Sequence, residues 1–207
     1  RVKLSTQDSS IAYMNFIETY KVDHDMCDKF IDLFHKFKSH HSHGQVMMND
    51  KKGGQQDKNI KDSTDLSINW WNSQSQPTVK KYQEILTNNF LDYRKKYEMV
   101  QQLSIGLANI FNIQHYKPNG GYKAWHFERH HNEQLRIFAF MTYLNDVPDG
   151  GTEFLYQDLT LKAKKGDTVI WPAEWTHTHK SQISTTHEKY IATGWFSLIP
   201  DKDNGSS

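Results

Sequence analysis

Residues 116–145 read YKPNGGYKAWHFERHHNEQLRIFAFMTYLN, and they lie in a region, beginning at residue 104, where short apolar runs separated by turn residues replace helical spacing. The same pattern continues on both sides of this stretch. Candidate strands fall at residues 104–116, 122–128, 135–145, 152–156, 159–162, 167–171 and 189–199. Short strands with turns at close intervals are typical of an antiparallel sandwich or barrel of the jelly-roll type.

An imidazole and a carboxylate stand two positions apart in this stretch, at His126 and Glu128. In an extended strand, residues i and i+2 point to the same face, so both side chains can reach one metal ion. The later segment 175–179, WTHTH, offers His177 and His179 as sources of a third ligand. Two imidazoles and one carboxylate form the facial set that suits non-haem Fe(II). The sequence therefore predicts an iron site.

A lysine opens the apolar run 189–196, KYIATGWF. A lysine is almost never buried without a partner, because removing its charge from water is costly. We therefore expect Lys189 to pair with an anion inside the predicted barrel.

Two amphipathic helices are predicted ahead of the barrel. Asp23 is a typical N-cap residue, and the apolar positions that follow it at helical spacing are Met26, Phe30, Leu33, Phe34 and Phe37. Pro77 suits the first turn of a second helix, whose apolar stripe comprises Tyr82, Leu86, Phe90, Tyr93, Tyr97 and Val100. Further strands are predicted at 11–22 and around 66–70. The predicted fold is α+β: one domain, 1–207, in which 1–103 supports a jelly-roll core at 104–199.

The segment 38–64 is polar and lacks periodicity. Loops of this length in compact domains often cover binding sites, so we expect a mobile loop that borders the cleft. His40, His41 and His43 within it can bind a transition metal, although a solvated loop is the simpler interpretation.

Composition excludes several classes of function. Lys and Arg total 25 against 24 Asp and Glu, which gives a net charge of +1 and no indication of nucleic-acid binding. No apolar run approaches the roughly 20 residues that cross a bilayer, and no signal peptide is visible. The single cysteine, Cys27, agrees with a reducing compartment. We therefore expect a cytoplasmic protein that is not bound to a membrane.

Several positions in the core share one order and spacing: Tyr116, His126, Glu128, 143–145 (YLN), 150–154 (GGTEF), His179, Lys189 and Trp195. This set resembles the Fe(II)- and 2-oxoglutarate-dependent oxygenases, and most of all their prolyl 4-hydroxylase-like branch. The resemblance covers roughly residues 104–199, about half of the chain. One position departs from the usual pattern, because Glu128 stands where the family usually has Asp, although some related oxygenases have Glu there. The extra methylene moves the carboxylate outward by about one C–C bond, which the backbone must absorb.

The resemblance implies that His126, Glu128 and His179 bind Fe(II); the family's ten-residue step to Lys189 favours His179 over His177. It also implies 2-oxoglutarate and O2 as cosubstrates, release of succinate and CO2, and ascorbate as reductant. The far carboxylate of 2-oxoglutarate is expected at Lys189 and Tyr143, with Tyr116 as a second contact. A peptidyl proline in a peptide or protein is the expected substrate.

Three alternatives remain open from the sequence. A catalytically silent barrel would bind metal and 2-oxoglutarate as a sensing module, and an active enzyme would instead take a small non-peptide substrate. A halogenase is disfavoured, because it needs the carboxylate ligand to be absent and Glu128 is present. The spacing of His126 and His130 is that of zinc proteases, but Phe127 stands where their catalytic Glu belongs. The oligomeric state is not predicted.

Overall fold

Two β-sheets face each other, and two α-helices pack against the outer face of the larger sheet. The computed structural model describes residues 14–47, 54–73, 76–131 and 133–199. Helix α1 spans His24–Lys36 and helix α2 spans Pro77–Lys96. The described strands are, in chain order, β1 (Glu18–Lys21), β2 (Ser42–His43), β3 (Val46–Met47), β4 (Gly54–Gln55), β5 (Lys61–Asp62), β6 (Thr64–Asn69), β7 (Ile105–Tyr116), β8 (Gly121–Tyr122), β9 (Arg136–Tyr143), β10 (Val147–Phe154), β11 (Leu159–Ala163), β12 (Asp167–Pro172), β13 (His179–Ser181) and β14 (Lys189–Leu198). Short 3-10 helices lie at Lys38–His40, Glu98–Gln102 and Trp175–His177.

The larger sheet has seven strands in the order β1-β12-β9-β14-β7-β6-β2, and each neighbouring pair is antiparallel. The smaller sheet has three antiparallel strands in the order β11-β10-β13. The short pairs β3–β4 and β5–β8 lie outside both sheets. This is the double-stranded β-helix of a jelly roll, preceded by helices, so the predicted α+β fold is confirmed.

Strand β9 shows how the two faces of the larger sheet are used. All of its residues from Phe138 to Tyr143 are buried, because helices cover one face and the smaller sheet covers the other. Phe138 and Phe140 belong to the helix-side core, whereas Met141 and Tyr143 belong to the core between the sheets. The alternation along the strand therefore directs Tyr143 towards the barrel interior.

Both predicted helices are confirmed, and their apolar stripes face the larger sheet. The buried residues are Met26, Cys27, Phe30 and Phe34 in α1, and Val79, Tyr82, Leu86, Phe90 and Tyr93 in α2. Asp23 occupies the N-cap position of α1, although its side chain makes no capping hydrogen bond. No helix in the described part of the chain has the length and apolar character needed to span a lipid bilayer.

Three predicted strands differ from the structure. The strand expected at 152–156 spans Val147–Phe154 instead. A strand over 122–128 is wrong: β8 ends at Tyr122, and only a single bridge, between His126 and His179, follows it. The predicted strand at 11–22 is regular only at Glu18–Lys21, and residues 11–13 lie outside the described residues.

Gly194 in β14 lies between Phe111 of β7 and Phe140 of β9. We expect Gly194→Ala to lower the free energy of unfolding by about 1–3 kcal/mol. A Cβ at this position would lie 2.6 Å from the ring of Phe140 and 3.0 Å from Cβ of Phe111, both fully buried. Gly106→Ala is the matched control, because its added Cβ would meet only the end of the half-exposed Ile199 side chain, at 3.1 Å. Urea denaturation of both variants measures the difference. Equal stabilities would contradict the packing argument.

Candidate metal centre and its cavity

Three side chains converge at one end of the space between the sheets. Oε1 of Glu128 lies 3.7 Å from Nε2 of His126 and 3.4 Å from Nε2 of His179. The potential ligand atoms of these three residues all lie within 4.8 Å of one another. The structure therefore brings together His126, Glu128 and His179, the three residues that the sequence nominated.

Backbone hydrogen bonds place these three residues without a regular strand. The amide of His126 donates to the carbonyl of His179 at 3.0 Å, and the amide of His179 donates back at 2.8 Å. The amide of Glu128 donates to the carbonyl of Ala173 at 3.1 Å, immediately after β12. The segment thus lies extended between β12 and β13, which keeps His126 and Glu128 on one side.

The tautomer of each histidine follows from its second ring nitrogen. Nδ1 of His126 lies 3.1 Å from the carbonyl oxygen of Ala124, and Nδ1 of His179 lies 2.9 Å from that of His177. A carbonyl only accepts, so each Nδ1 carries the proton and each Nε2 presents a lone pair. Two lone pairs and a carboxylate facing one point repel each other unless a cation lies between them. This donor set fits a divalent metal ion, and its two-His, one-carboxylate composition suits Fe(II).

The surroundings favour the charge states that metal ligands need. Burial lowers the pKa of His126 to about 3, with a further contribution from His179, so the imidazole is neutral at physiological pH. Burial alone would raise the pKa of Glu128, but the neighbouring Arg136 guanidinium favours the charged form and helps to hold the pKa well below its usual range. A neutral imidazole and an ionised carboxylate are the forms that coordinate metal.

His177 is not part of this cluster. Its ring nitrogens contact the carbonyl oxygen of Asn15 at 2.9 Å and the hydroxyl of Thr176 at 3.0 Å. His177 lies in a 3-10 turn, whereas His179 begins β13, so the two side chains do not share a face.

Lys189 is 4% exposed and lacks an ion-pair partner among the described residues. Its Nζ donates to the carbonyl oxygens of Gly150 at 2.8 Å and Gln182 at 3.3 Å. Burial lowers its pKa to about 8, although Asp149 opposes this. A buried cation held only by neutral carbonyls is a ready partner for an anion.

Tyr116 and Tyr143, the two other expected contacts of 2-oxoglutarate, lie close to Lys189 or to the residues that line the cavity in front of it. Nζ of Lys189 lies 5.4 Å from the centroid of the Tyr116 ring, and the Tyr143 hydroxyl lies 2.7 Å from that of Thr152. The Tyr116 hydroxyl donates to Oε1 of Gln114 at 2.7 Å. Tyr116 and Thr152 line the cavity at the metal centre, and Lys189 and Tyr143 lie directly behind them.

The cavity has a volume of about 810 Å³ and extends well beyond the three ligands. Its floor is the inner face of β6, β7 and β14, which the smaller sheet leaves uncovered, with Ser67, Asn112, Thr193 and Ser197 along it. The described part of the segment 38–64 contributes Ser42, His43, Gln45, Val46 and Lys61 to the border, and residues 48–53 lie outside the described residues.

Sequence reasoning missed three neighbours of the ligands. The Tyr122 ring stacks on His126 with centroids 3.4 Å apart, and Nε1 of Trp195 donates to Oε2 of Glu128 at 2.8 Å. Nη1 of Arg136 lies 3.9 Å from the same oxygen. Trp195 was marked only by its position in the resemblance, because no spacing rule predicts which side chain reaches the second oxygen of a carboxylate.

Residues 111–197 match the model of the family described as the 2OG-Fe(II) oxygenase superfamily. Among solved structures, a Pseudomonas putida prolyl-4-hydroxylase is 14% identical with a TM-score of 0.66, over 90% of this chain and 94% of that chain. A viral collagen prolyl hydroxylase from Paramecium Bursaria Chlorella virus-1, in a 2OG complex, is 17% identical with a TM-score of 0.64, over 89% and 97%. A Trichoplax adhaerens prolyl hydroxylase with a peptide fragment of the hypoxia inducible factor oxygen degradation domain is 12% identical with a TM-score of 0.70, over 93% and 88%. At these identities the likeness shows the fold. A comparison with curated protein sequences gives no match.

Proposed function

We propose that this chain is a dioxygenase that hydroxylates prolyl residues of a peptide or protein, since residues 111–197 match the model of the 2OG-Fe(II) oxygenase superfamily. The observation that carries the proposal is the His126, Glu128 and His179 cluster at the end of a long open cavity. A buried cation, Lys189, lies behind the same cavity.

His126, Glu128 and His179 would hold Fe(II) through Nε2, Oε1 and Nε2. With 2-oxoglutarate and O2, the bound metal supplies oxidative decarboxylation to succinate and CO2, coupled to hydroxylation of the substrate. The role of the protein is to keep the imidazole of His126 neutral and to orient both rings through the carbonyl oxygens of Ala124 and His177.

The far carboxylate of 2-oxoglutarate would pair with the ammonium group of Lys189. The Tyr143 hydroxyl, now shared with Thr152, can turn to donate to the same carboxylate. Tyr116 would contact the cosubstrate mainly with its ring, because its hydroxyl proton is directed at Gln114.

The substrate class is supported by the shape and chemistry of the cavity. Its uncovered sheet floor carries small polar side chains that can hydrogen-bond to an extended peptide backbone. Phe127 and Trp195 line it beside the ligands, and flat aromatic surfaces suit pyrrolidine rings, as in other proline-rich recognition sites. The Trichoplax relative carries a peptide, which agrees with this class.

Three other predictions are also proposals. Ascorbate as a reductant and a cytoplasmic location remain expectations, the latter resting on the single free cysteine, Cys27. The division of the chain into an N-terminal support, 1–103, and a catalytic core, 104–199, is likewise a proposal. The alternative is a catalytically silent barrel that binds 2-oxoglutarate. An assay of 2-oxoglutarate turnover distinguishes it from an active enzyme.

We expect proline-rich peptides to stimulate succinate formation from 2-oxoglutarate at least about 10-fold, since substrate binding completes an active site. The assay contains Fe(II), ascorbate and air, with and without a proline-rich peptide library. His126→Ala is the blank. Turnover that peptides leave unchanged would reject the peptide substrate and favour a small molecule. Binding of Fe(II) and 2-oxoglutarate without any turnover would favour the silent barrel.

A further inference from the structure

The two oxygens of the Glu128 carboxylate have separate surroundings. Oε1 faces the imidazoles of His126 and His179. Oε2 faces away from them and accepts a hydrogen bond of 2.8 Å from Nε1 of Trp195. A carboxylate whose second oxygen is already bonded offers a single oxygen to a metal.

Trp195 is itself held in place by Arg136. The guanidinium carbon of Arg136 lies 3.6 Å from the centroid of the indole, a close cation–π contact. Nη2 of Arg136 pairs with Glu133 at 3.1 Å, and Nη1 lies 3.9 Å from Oε2 of Glu128. Both residues lie on neighbouring strands of the larger sheet, where Trp195 is opposite Ala139. The indole is thus fixed by a strand and by a stacked cation.

A glutamate needs such support more than an aspartate does. Its side chain has one more rotatable bond, and ordering a longer side chain costs more conformational entropy. Its longer arm also permits more than one way of binding a metal. A hydrogen bond to a charged carboxylate is among the stronger ones in proteins.

We propose that Trp195, with Arg136 stacked on it, is a positioning residue that fixes Glu128 so that Oε1 alone binds the metal. The Trp195–Arg136 pair thereby supports the longer side chain of a glutamate at this position. This inference rests on the metal site of the proposed function.

Trp195→Phe tests the inference, because it keeps an aromatic ring for Arg136 and removes the N–H donor to Glu128. We expect Co(II), titrated into metal-free protein and followed by its visible absorption, to bind about 10-fold more weakly. The absorption bands should also change, since the carboxylate is free to bind through either oxygen. The unfolding temperature of the metal-free protein should change little by comparison.

Trp171→Phe is the matched control. Trp171 also lines the cavity and lies against the His179 ring, at 5.1 Å between centroids, yet its Nε1 has no hydrogen-bond partner among the described residues. Its replacement should change Co(II) affinity less than about 3-fold, because no hydrogen bond to a ligand is lost.

A double-mutant cycle with Glu128→Asp distinguishes positioning of Glu128 by Trp195 from a general effect of Trp195 on packing. The shorter carboxylate cannot reach both the metal and Trp195 from the same backbone. In the Glu128→Asp background, Trp195→Phe should therefore weaken Co(II) binding less than about 2-fold. An equal loss in both backgrounds, or no loss in either, overturns the inference. A different result would reject the proposed metal site itself, namely unchanged Co(II) binding in His126→Ala.

Discussion

The His179→Ala variant is expected to bind Fe(II) more than about 100-fold more weakly than the parent protein and to lose succinate formation. Changes to residues that only hydrogen-bond to metal ligands already cost about 10–100-fold in affinity or activity, so the loss of a ligand should cost more. The substitution removes one of three convergent donors and leaves Glu128 and His126 facing each other at 3.7 Å. Isothermal titration of metal-free protein under anaerobic conditions measures the affinity. Turnover of 2-oxoglutarate measures the activity.

His177→Ala is the matched control for this variant, because it removes a buried histidine two residues away. His177 contacts Asn15 and Thr176 rather than a ligand atom. We expect Fe(II) affinity to stay within about 3-fold, while stability falls by about 1–2 kcal/mol for the lost buried hydrogen bonds. Loss of Fe(II) binding in His177→Ala but not in His179→Ala would exchange their roles and reject the site described above.

The three candidate ligands could be selected from the sequence because metal binding requires particular residue types at particular spacings. An imidazole and a carboxylate two positions apart, followed by a distal His179 and by Lys189, form an ordered set that few other functions require. The three residues converge in the structure although the local structure differs from the predicted strand. His126 and Glu128 lie in an extended segment held by Ala173 and His179, and not in a strand.

The surroundings of the ligands were less predictable, because they depend on contacts between distant strands. Trp195 reaches Glu128 from β14, 67 residues further along the chain. Lys61, Asp65 and Gln114 form a buried network at the cavity wall, with the Lys61–Asp65 ion pair at 2.9 Å. A polar loop gives no sign in the sequence that one of its lysines will be buried.

The glycine pair 150–151 is a second feature that depends on contacts between strands and is therefore hard to predict from the sequence. The predicted strand at 152–156 leaves this pair out, whereas the structure places it inside β10, where the pairing with β11 shifts between Val147 and Thr152. A Cβ at Gly151 would lie 1.9 Å from the carbonyl oxygen of Leu161. The glycine is thus needed for a close approach of two backbones, a requirement that composition does not distinguish from a turn.

The Lys189→Met variant is expected to bind 2-oxoglutarate on the order of 100- to 1000-fold more weakly, because removing one partner of a buried ion pair costs about 3–5 kcal/mol. Fe(II) affinity should stay within about 3-fold, since Lys189 contacts none of the three ligands. Lys180→Met is the matched control: Lys180 lines the same cavity, but it is partly exposed and pairs with Glu153. Its loss should change 2-oxoglutarate affinity little. Equal affinities of Lys189→Met and the parent would reject the role of Lys189.

The depressed pKa of Lys189 also predicts how 2-oxoglutarate binding depends on pH. The lysine is protonated in the free protein below its pKa of about 8. An anion raises that pKa, so the contribution of the ion pair is full below pH 8 and is lost as the pH rises above it. We expect 2-oxoglutarate affinity to decline above about pH 8 in the parent and to lack this decline in Lys189→Met. A flat profile in the parent would contradict the assignment.

The same substitution is expected to stabilise the ligand-free protein. A lysine whose pKa is lowered by burial, with no carboxylate partner among the described residues, destabilises the folded state at neutral pH. Methionine has a similar length and no charge, so Lys189→Met should raise the free energy of unfolding at pH 7 by about 1–3 kcal/mol. The gain should shrink between pH 8 and pH 10.5, as the parent lysine loses its proton in the folded state. Urea denaturation at pH 7 and pH 10 measures both values. A variant that is more stable and yet loses 2-oxoglutarate has lost a binding group and not its fold, whereas a less stable variant would mean that Lys189 serves the barrel itself.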